Sequence, residues 1–217
     1  MKLSIILLFL YYATIYSKSI TLTSTNHISI LGQITDSGAN KFIKDIQPLT
    51  TKDIYIYIDS PGGEVHAGEN IIQYMNYKTH QNHTLLCIAN QAMSMAFHIF
   101  QHCSRRLVLQ NTILMQHQMS LQTDGSLENI NNYLGMINTI NERLINIESI
   151  RLKITPEEYK YNIMSDWWLY GEESIVQNAA DELINSIGCD TQLLEETNII
   201  IEFGIMRKES NCPLIDN

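Results

Sequence analysis

The chain has 217 residues, 45% of them apolar and 17% charged. That balance supplies one medium-sized core and excludes a mainly disordered chain. The net charge is −9, from 14 basic and 23 acidic side chains, and no run of Lys or Arg is long enough to follow a phosphate backbone, which argues against nucleic acid as a partner.

Residues 1–17 read as a signal peptide. Lys2 supplies the positive start, and residues 3–16 are a nearly unbroken apolar run, the length of a signal-peptide core and short of the roughly 20 residues that span a bilayer. A buried N-terminal strand or helix is the alternative. The first reading places the protein in a secretory or extracytoplasmic compartment, the second in the cytoplasm. Asn82-His83-Thr84 is a glycosylation sequon that matters only in the first case.

Beyond the leader, residues 28–31 read as a strand and 37–46 as a helix with Ala39, Phe42, Ile43 and Ile46 near one face. Residues 53–59 alternate Ile54, Ile56 and Ile58 against Tyr55, Tyr57 and Asp59, the pattern of a strand, which ends at the Ser60-Pro61-Gly62-Gly63 turn. A helix over 64–77 follows. The plan then repeats, with a strand at 84–89, a turn at Asn90-Gln91 and an apolar helix over 92–103. Two successive strand–turn–helix units predict a mainly parallel sheet in an α/β fold. Residues 107–109 and 113–117 read as two further strands.

Residues 126–153 form a long helix, with Leu127, Ile130, Leu134, Ile137, Leu144 and Ile147 at spacings of three, four and seven and Ser126 as its cap. Its length predicts that part of it projects and packs on another subunit; a core helix with a frayed end is the alternative. Thr155-Pro156-Glu157-Glu158 opens a short helix. Ser165-Asp166 is then a loop anchored by Trp167 and Trp168, and residues 172–180 make a last helix. The expected division is a leader over 1–17, one domain over 18–195 and a tail over 196–217.

The cysteines, Cys87, Cys103, Cys189 and Cys212, contain no C-x-x-C pair, which excludes a zinc ribbon or a thioredoxin-type motif. Their disulfide state is open at this point, and Cys87, in an apolar run, reads as a small buried hydrophobe.

Three polar residues stand out. Ser94 lies between a strand and a helix, where the helix dipole and the free N–H of Met95 favour a developing oxyanion; an ordinary cap serine is the simpler alternative. Gly62 and Gly63 let the backbone come close to a substrate and offer a second N–H donor. A phosphate cradle is excluded there, because neither G-x-G-x-x-G nor the P-loop lysine is present. His117 ends a strand and is the natural general base. Asp166, between polar and aromatic neighbours, is expected in a buried role, orienting an imidazole or capping a loop. His98 and His102, four apart on a helix, lack the H-E-x-x-H pattern and read as packing or surface residues rather than metal ligands.

The residues Tyr55-Ile-Tyr-Ile-Asp-Ser-Pro-Gly-Gly-Glu-Val, Ala67-Gly68, Asn90-Gln-Ala-Met-Ser-Met-Ala and Met115-Gln-His-Gln, in this order, resemble the proteolytic subunit of the Clp protease over roughly residues 28–187. The resemblance implies a ClpP/crotonase-like fold of repeated β-turn-α units with a protruding handle helix. It implies a serine endopeptidase with Ser94 as nucleophile, His117 as base and Asp166 as the third residue, and Gly63 and Met95, beside Gly62, as oxyanion donors. It further implies peptide or unfolded-protein substrates, heptameric rings around a chamber, no cofactor, and a ring ATPase as the source of any ATP dependence, since the chain has no Walker motif. Asn90, Met93 and Ala96 depart from the small residues around the family's nucleophile, Met119 stands where the family has proline, and the glycine-rich strand after the histidine is missing. An inactive structural subunit and a crotonase-like acyl-CoA enzyme are the competing expectations.

Overall fold

The computed structural model describes residues 19–195, 197–202 and 205–215; the expected leader lies outside them. The strands β1 (Ser19–Leu22), β2 (His27–Leu31), β3 (Asp53–Ser60), β4 (Thr84–Met93) and β5 (Arg105–Gln116) alternate with the helices α1 (Asp36–Ile46), α2 (Val65–His80) and α3 (Met95–Gln101). Then come α4 (Leu127–Leu152), α5 (Pro156–Asn162), β6 (Trp167–Tyr170), α6 (Glu173–Val176), β7 (Glu182–Leu183), β8 (Ser186–Cys189), α7 (Thr191–Glu195) and the strands β9 (Thr197–Glu202) and β10 (Ile205–Ser210).

The main sheet has the order β2-β3-β4-β5-β6, with β7 also pairing to β5. Strands β2 to β5 and β7 are parallel, and β6 closes the edge antiparallel. The reason is legible in β4. Its side chains alternate between two faces, as a pleat requires, but both faces are apolar. Leu85, Cys87 and Ala89 join the core beneath α1, α2 and α3, whereas Leu86 and Ile88 join a second core with Ile20, Leu22, Leu107 and Leu193. The second core is roofed by the parallel pair β1–β8 and by α7. Strands β9 and β10 form an antiparallel hairpin in the segment expected as a tail.

Local chemistry sets the helix ends. Thr35 Oγ1 accepts from Gly38 N at the start of α1, Ser126 Oγ from Asn129 N at the start of α4, and Thr155 Oγ1 from Glu158 N at the start of α5. Helix α4 stops at Lys153, which is left-handed at φ 62°. The buried side chains of α4 are Ile145, Glu148, Ser149 and Leu152, all in its C-terminal part. Its N-terminal half is exposed on nearly every side, with Leu127, Tyr133, Leu134 and Met136 in solvent.

Several boundaries differ from those expected. Asn90-Gln91 is not a turn. Strand β4 continues to Met93, and the register against β3 and β5 slips at Asn90, whose side chain donates to Asp59 Oδ2. The bulge lets the strand bend without ending. For this reason α3 begins at Met95 rather than at residue 92. The two strands expected at 107–109 and 113–117 are one strand, β5, bridged at its irregular centre by Thr112, whose hydroxyl donates to Ala89 O and accepts from Leu109 N. Trp167 and Trp168 are not loop anchors but the start of β6, paired with Gln116 and Met115. The helix expected over 172–180 is the single turn α6. Cys87 is more than a small hydrophobe, since it is disulfide-bonded to Cys103, and Cys189 is bonded to Cys212.

Candidate active site

Ser94 occupies the single position between β4 and α3. Its φ of 53° with ψ of −121° is a conformation that L-residues rarely adopt. A hydrogen bond from Ser94 N to Met115 O at 2.9 Å holds the sharp turn against the end of β5. Because β4 and β5 run parallel with Met93 opposite Met115, both strands finish at the same level. His117 leaves β5 at that level, and its Nε2 lies 2.9 Å from Ser94 Oγ. The serine and histidine singled out in the sequence therefore meet at hydrogen-bond distance, the contact a general base needs.

The oxyanion candidates are also brought together. Ile34 bonds through both its backbone groups to the turn after β3, accepting from Glu64 N and donating to Gly62 O. In such a parallel bridge the N–H of the intervening residue, Gly63, points away from Ile34 and toward the β4 side of the sheet. A Cβ on Gly62 would lie 2.6 Å from Met93 O, 2.8 Å from Ser94 Cβ and 3.0 Å from Met95 N, so only glycine fits against the nucleophile turn. Gly68 lies close as well: a Cβ there would fall 2.3 Å from Met95 Cε, so the flexible methionine side chain would have to move aside. Met95 N is the first N–H of α3 and has no intrahelical acceptor.

Asp166 is placed differently from the expectation of a buried carboxylate. The antiparallel pairing of Gln116 with Trp167 brings the next residues, His117 and Asp166, opposite one another at the ends of β5 and β6. The Asp166 side chain is nevertheless exposed, and it makes no hydrogen bond or ion pair to the imidazole. At the first residue ahead of the short strand β6, water competes for the carboxylate, and nothing packs over it to force the inward rotamer.

Four residues of the site escaped the motif reading. Below Ser94, one turn along α3, His98 is 1% exposed and its Nδ1 lies 2.6 Å from Glu148 Oε1 on α4. Gln116 Nε2 donates to both Glu148 oxygens at 3.1 Å, while Gln116 Oε1 accepts from His117 N at 3.0 Å. On the far side of His98, Glu69 Oε1 stands 3.5 Å from Nε2, with Arg143 beyond it. Burial drives the His98 pKa down, but the hydrogen bond to Glu148 and the nearby charges of Glu148 and Glu69 outweigh it and raise the pKa to about 9. The His98 ring 3.5 Å away holds the Glu69 carboxyl below its ordinary range against burial. His98 is thus a buried cation rather than a surface or packing residue. One sequence cue existed: Glu148 interrupts the i, i+4 row formed by Leu144 and Leu152. A cavity of about 50 Å³ beside Ser94 and His117 is walled by Val65, Ile145, Glu148 and Tyr159. No cluster able to hold a metal ion occurs among the described residues.

The family model of the Clp protease matches residues 12–186. The chain belongs to the Clp protease family. Similar proteins carry the name ATP-dependent Clp protease proteolytic subunit. That of Streptococcus gordonii is 27% identical over 176 residues, covering 78% of this chain and 88% of the relative. Those of Streptococcus pyogenes serotype M5 and Streptococcus equi subsp. equi are 26% identical over 178 residues, covering 79% of this chain and 89% of each relative. Membership of the Clp protease family supports a peptidase role and accounts for the mostly parallel α/β architecture.

Proposed function

We propose that the protein is a serine endopeptidase that hydrolyses peptide bonds through an acyl-enzyme on Ser94. The carrying observation is the 2.9 Å contact between His117 Nε2 and Ser94 Oγ at the ends of two parallel strands. His117 removes the hydroxyl proton as Ser94 attacks the scissile carbonyl, then returns it to the leaving amine. The N–H groups of Gly63 and Met95 receive the oxyanion, in the place that Gly62 keeps open. Water, deprotonated by the same imidazole, releases the acyl group. No step calls for a cofactor. Asp166 serves as third residue by turning its carboxylate toward His117 Nδ1, a side-chain rotation across one strand pair.

The exposed apolar residues on the outer half of α4 support an oligomer in which this helix packs on other copies, as rings around a chamber would require. The relatives' name implies an ATP-dependent partner; any such dependence here would come from a separate ATPase. Two disulfides support an oxidising, secretory compartment, in keeping with the leader expected at residues 1–17.

A second reading, an inactive structural subunit, is favoured by the exposed, unengaged Asp166. Labelling with a fluorophosphonate probe and hydrolysis of a fluorogenic peptide decide between them. The peptidase labels in the wild type and not in Ser94→Ala, and Asp166→Asn slows turnover by roughly 10³–10⁴-fold. Equal labelling of wild type and Ser94→Ala would overturn the assigned nucleophile. An assembled protein that neither labels nor turns over peptide is the structural subunit.

A further inference from the structure

We propose that the buried cluster of Gln116, Glu148 and His98 is a positioning device that fixes the backbone of His117 and ties it to the α4 helix. It rests on the reading of His117 as the general base. The cluster begins with a backbone problem. Strand β4 ends opposite Met115 and β6 opposite Gln116, so the N–H of His117 is the first beyond the ladder. An unpaired N–H at a half-buried site is costly. Gln116 answers it with its own side chain: Oε1 accepts from His117 N at 3.0 Å. That assignment leaves the Gln116 NH2 facing inward, where only an acceptor can satisfy it, and Glu148 receives it with both oxygens.

Glu148 is 1% exposed, and a carboxylate so buried persists only with a positive partner. His98 is that partner. Its imidazolium lies in the first turns of the same helix that Ser94 opens, and His98 N donates to Ser94 O at 3.1 Å. The chain of contacts thus closes on itself, from Ser94 through α3 to His98, across to α4 at Glu148, and back through Gln116 to His117. The titratable groups facing His98 are Glu148 and Arg143 from α4, Glu69 from α2 and His102 from α3 itself, whose ring stands 4.5 Å away edge-on. Loss of the His98 proton leaves its Nε2 lone pair toward the Glu69 carboxylate and loosens the hold on Glu148. None of these residues touches the reacting atoms, so they act through His117.

The test uses the full-length protein and the variants Gln116→Met, Glu148→Gln and His98→Gln, each close in size to the original residue. Three measurements are made: peptide turnover, fluorophosphonate inactivation rate, and hydrogen–deuterium exchange of the segment 115–121. Gln116→Met is expected to lower kcat about tenfold with KM within about twofold, and to speed exchange of that segment while other β5 segments keep their rates. Glu148→Gln is expected to do the same less strongly. In the wild type, kcat falls and the protection of the segment, taken relative to the intrinsic base-catalysed exchange rate at each pH, drops as pH rises through about 9, where His98 loses its proton. In His98→Gln, which keeps a neutral donor toward Glu148, that alkaline change is absent. Unchanged exchange in Gln116→Met, or an alkaline change that persists in His98→Gln, overturns the proposal. Should the wild type hydrolyse no peptide, the peptidase reading fails, and exchange alone still decides whether the cluster holds His117.

Discussion

At the scale of single residues, the site turns on two backbone positions in the left-handed half of conformational space. Gly62, at φ 94°, is pressed against Met93 O and Ser94 Cβ, and Ser94 itself is held at positive φ. Gly62→Ala should therefore leave the sheet intact but push the nucleophile turn aside. Turnover is expected to fall by at least roughly 10²-fold, the scale of losing one oxyanion donor, with little change in peptide KM. Steady-state kinetics on the purified variant check this. The sequence made these positions legible because Ser60-Pro61-Gly62-Gly63 and the Met93-Ser94-Met95 step are local features. The cluster under them was not legible. Gln116 and Glu148 are 32 residues apart, His98 and Glu148 are 50 apart, and nothing local relates them. Asp166 shows the converse. The resemblance named it, and the β5–β6 pairing sets it opposite His117, but its rotamer is a contest with water that no motif encodes.

At the scale of elements, helices with capping residues and strands with clean alternation were readable, and the errors cluster where tertiary pairing overrides local pattern. Asn90-Gln91 has turn chemistry, yet a bulge between two long parallel neighbours absorbs it. Trp167 to Tyr170 is too short to announce itself and becomes a strand only because β5 offers an edge. The contact between α3 and α4 has an energetic consequence. His98 is bound as a cation at one joint, with its pKa raised from 6.5 to about 9. Between those values the folded chain holds a proton that the unfolded chain has released. The stabilisation is fully present below about pH 6.5, falls away as pH rises, and is gone above about 9, a loss on the order of 3 kcal/mol. Chemical denaturation at pH 6 and pH 9.5 should show that drop, and Glu148→Gln should flatten it.

At the scale of the whole molecule, the exposed outer half of α4 is the feature least suited to a free monomer. Tyr133, Leu134 and Met136 are solvent-facing on a helix whose buried contacts start only at Ile145. An amphipathic stripe with no internal partner predicts contacts between copies. Leu134→Glu combined with Tyr133→Glu is expected to shift the protein to smaller assemblies in sedimentation velocity while leaving its circular dichroism unchanged; an unaltered sedimentation profile would show that this face is not an interface. Fold class and the long helix over Leu127–Leu152 were readable from the sequence, because both follow from repeat order and helix periodicity. The clamping of the C-terminal segment was not, since the pairing of cysteines is a property of the fold.

The bond between Cys189 and Cys212 closes a covalent loop around α7 and the β9–β10 hairpin. A peptidase is exposed to its own kind of chemistry, and a single backbone cut anywhere inside that loop would release nothing. The nicked polypeptide would migrate as one species on a non-reducing gel and separate into a long and a short fragment only after thiol treatment. Damage to this end of the molecule is thus hidden by its own cross-link until reductant arrives.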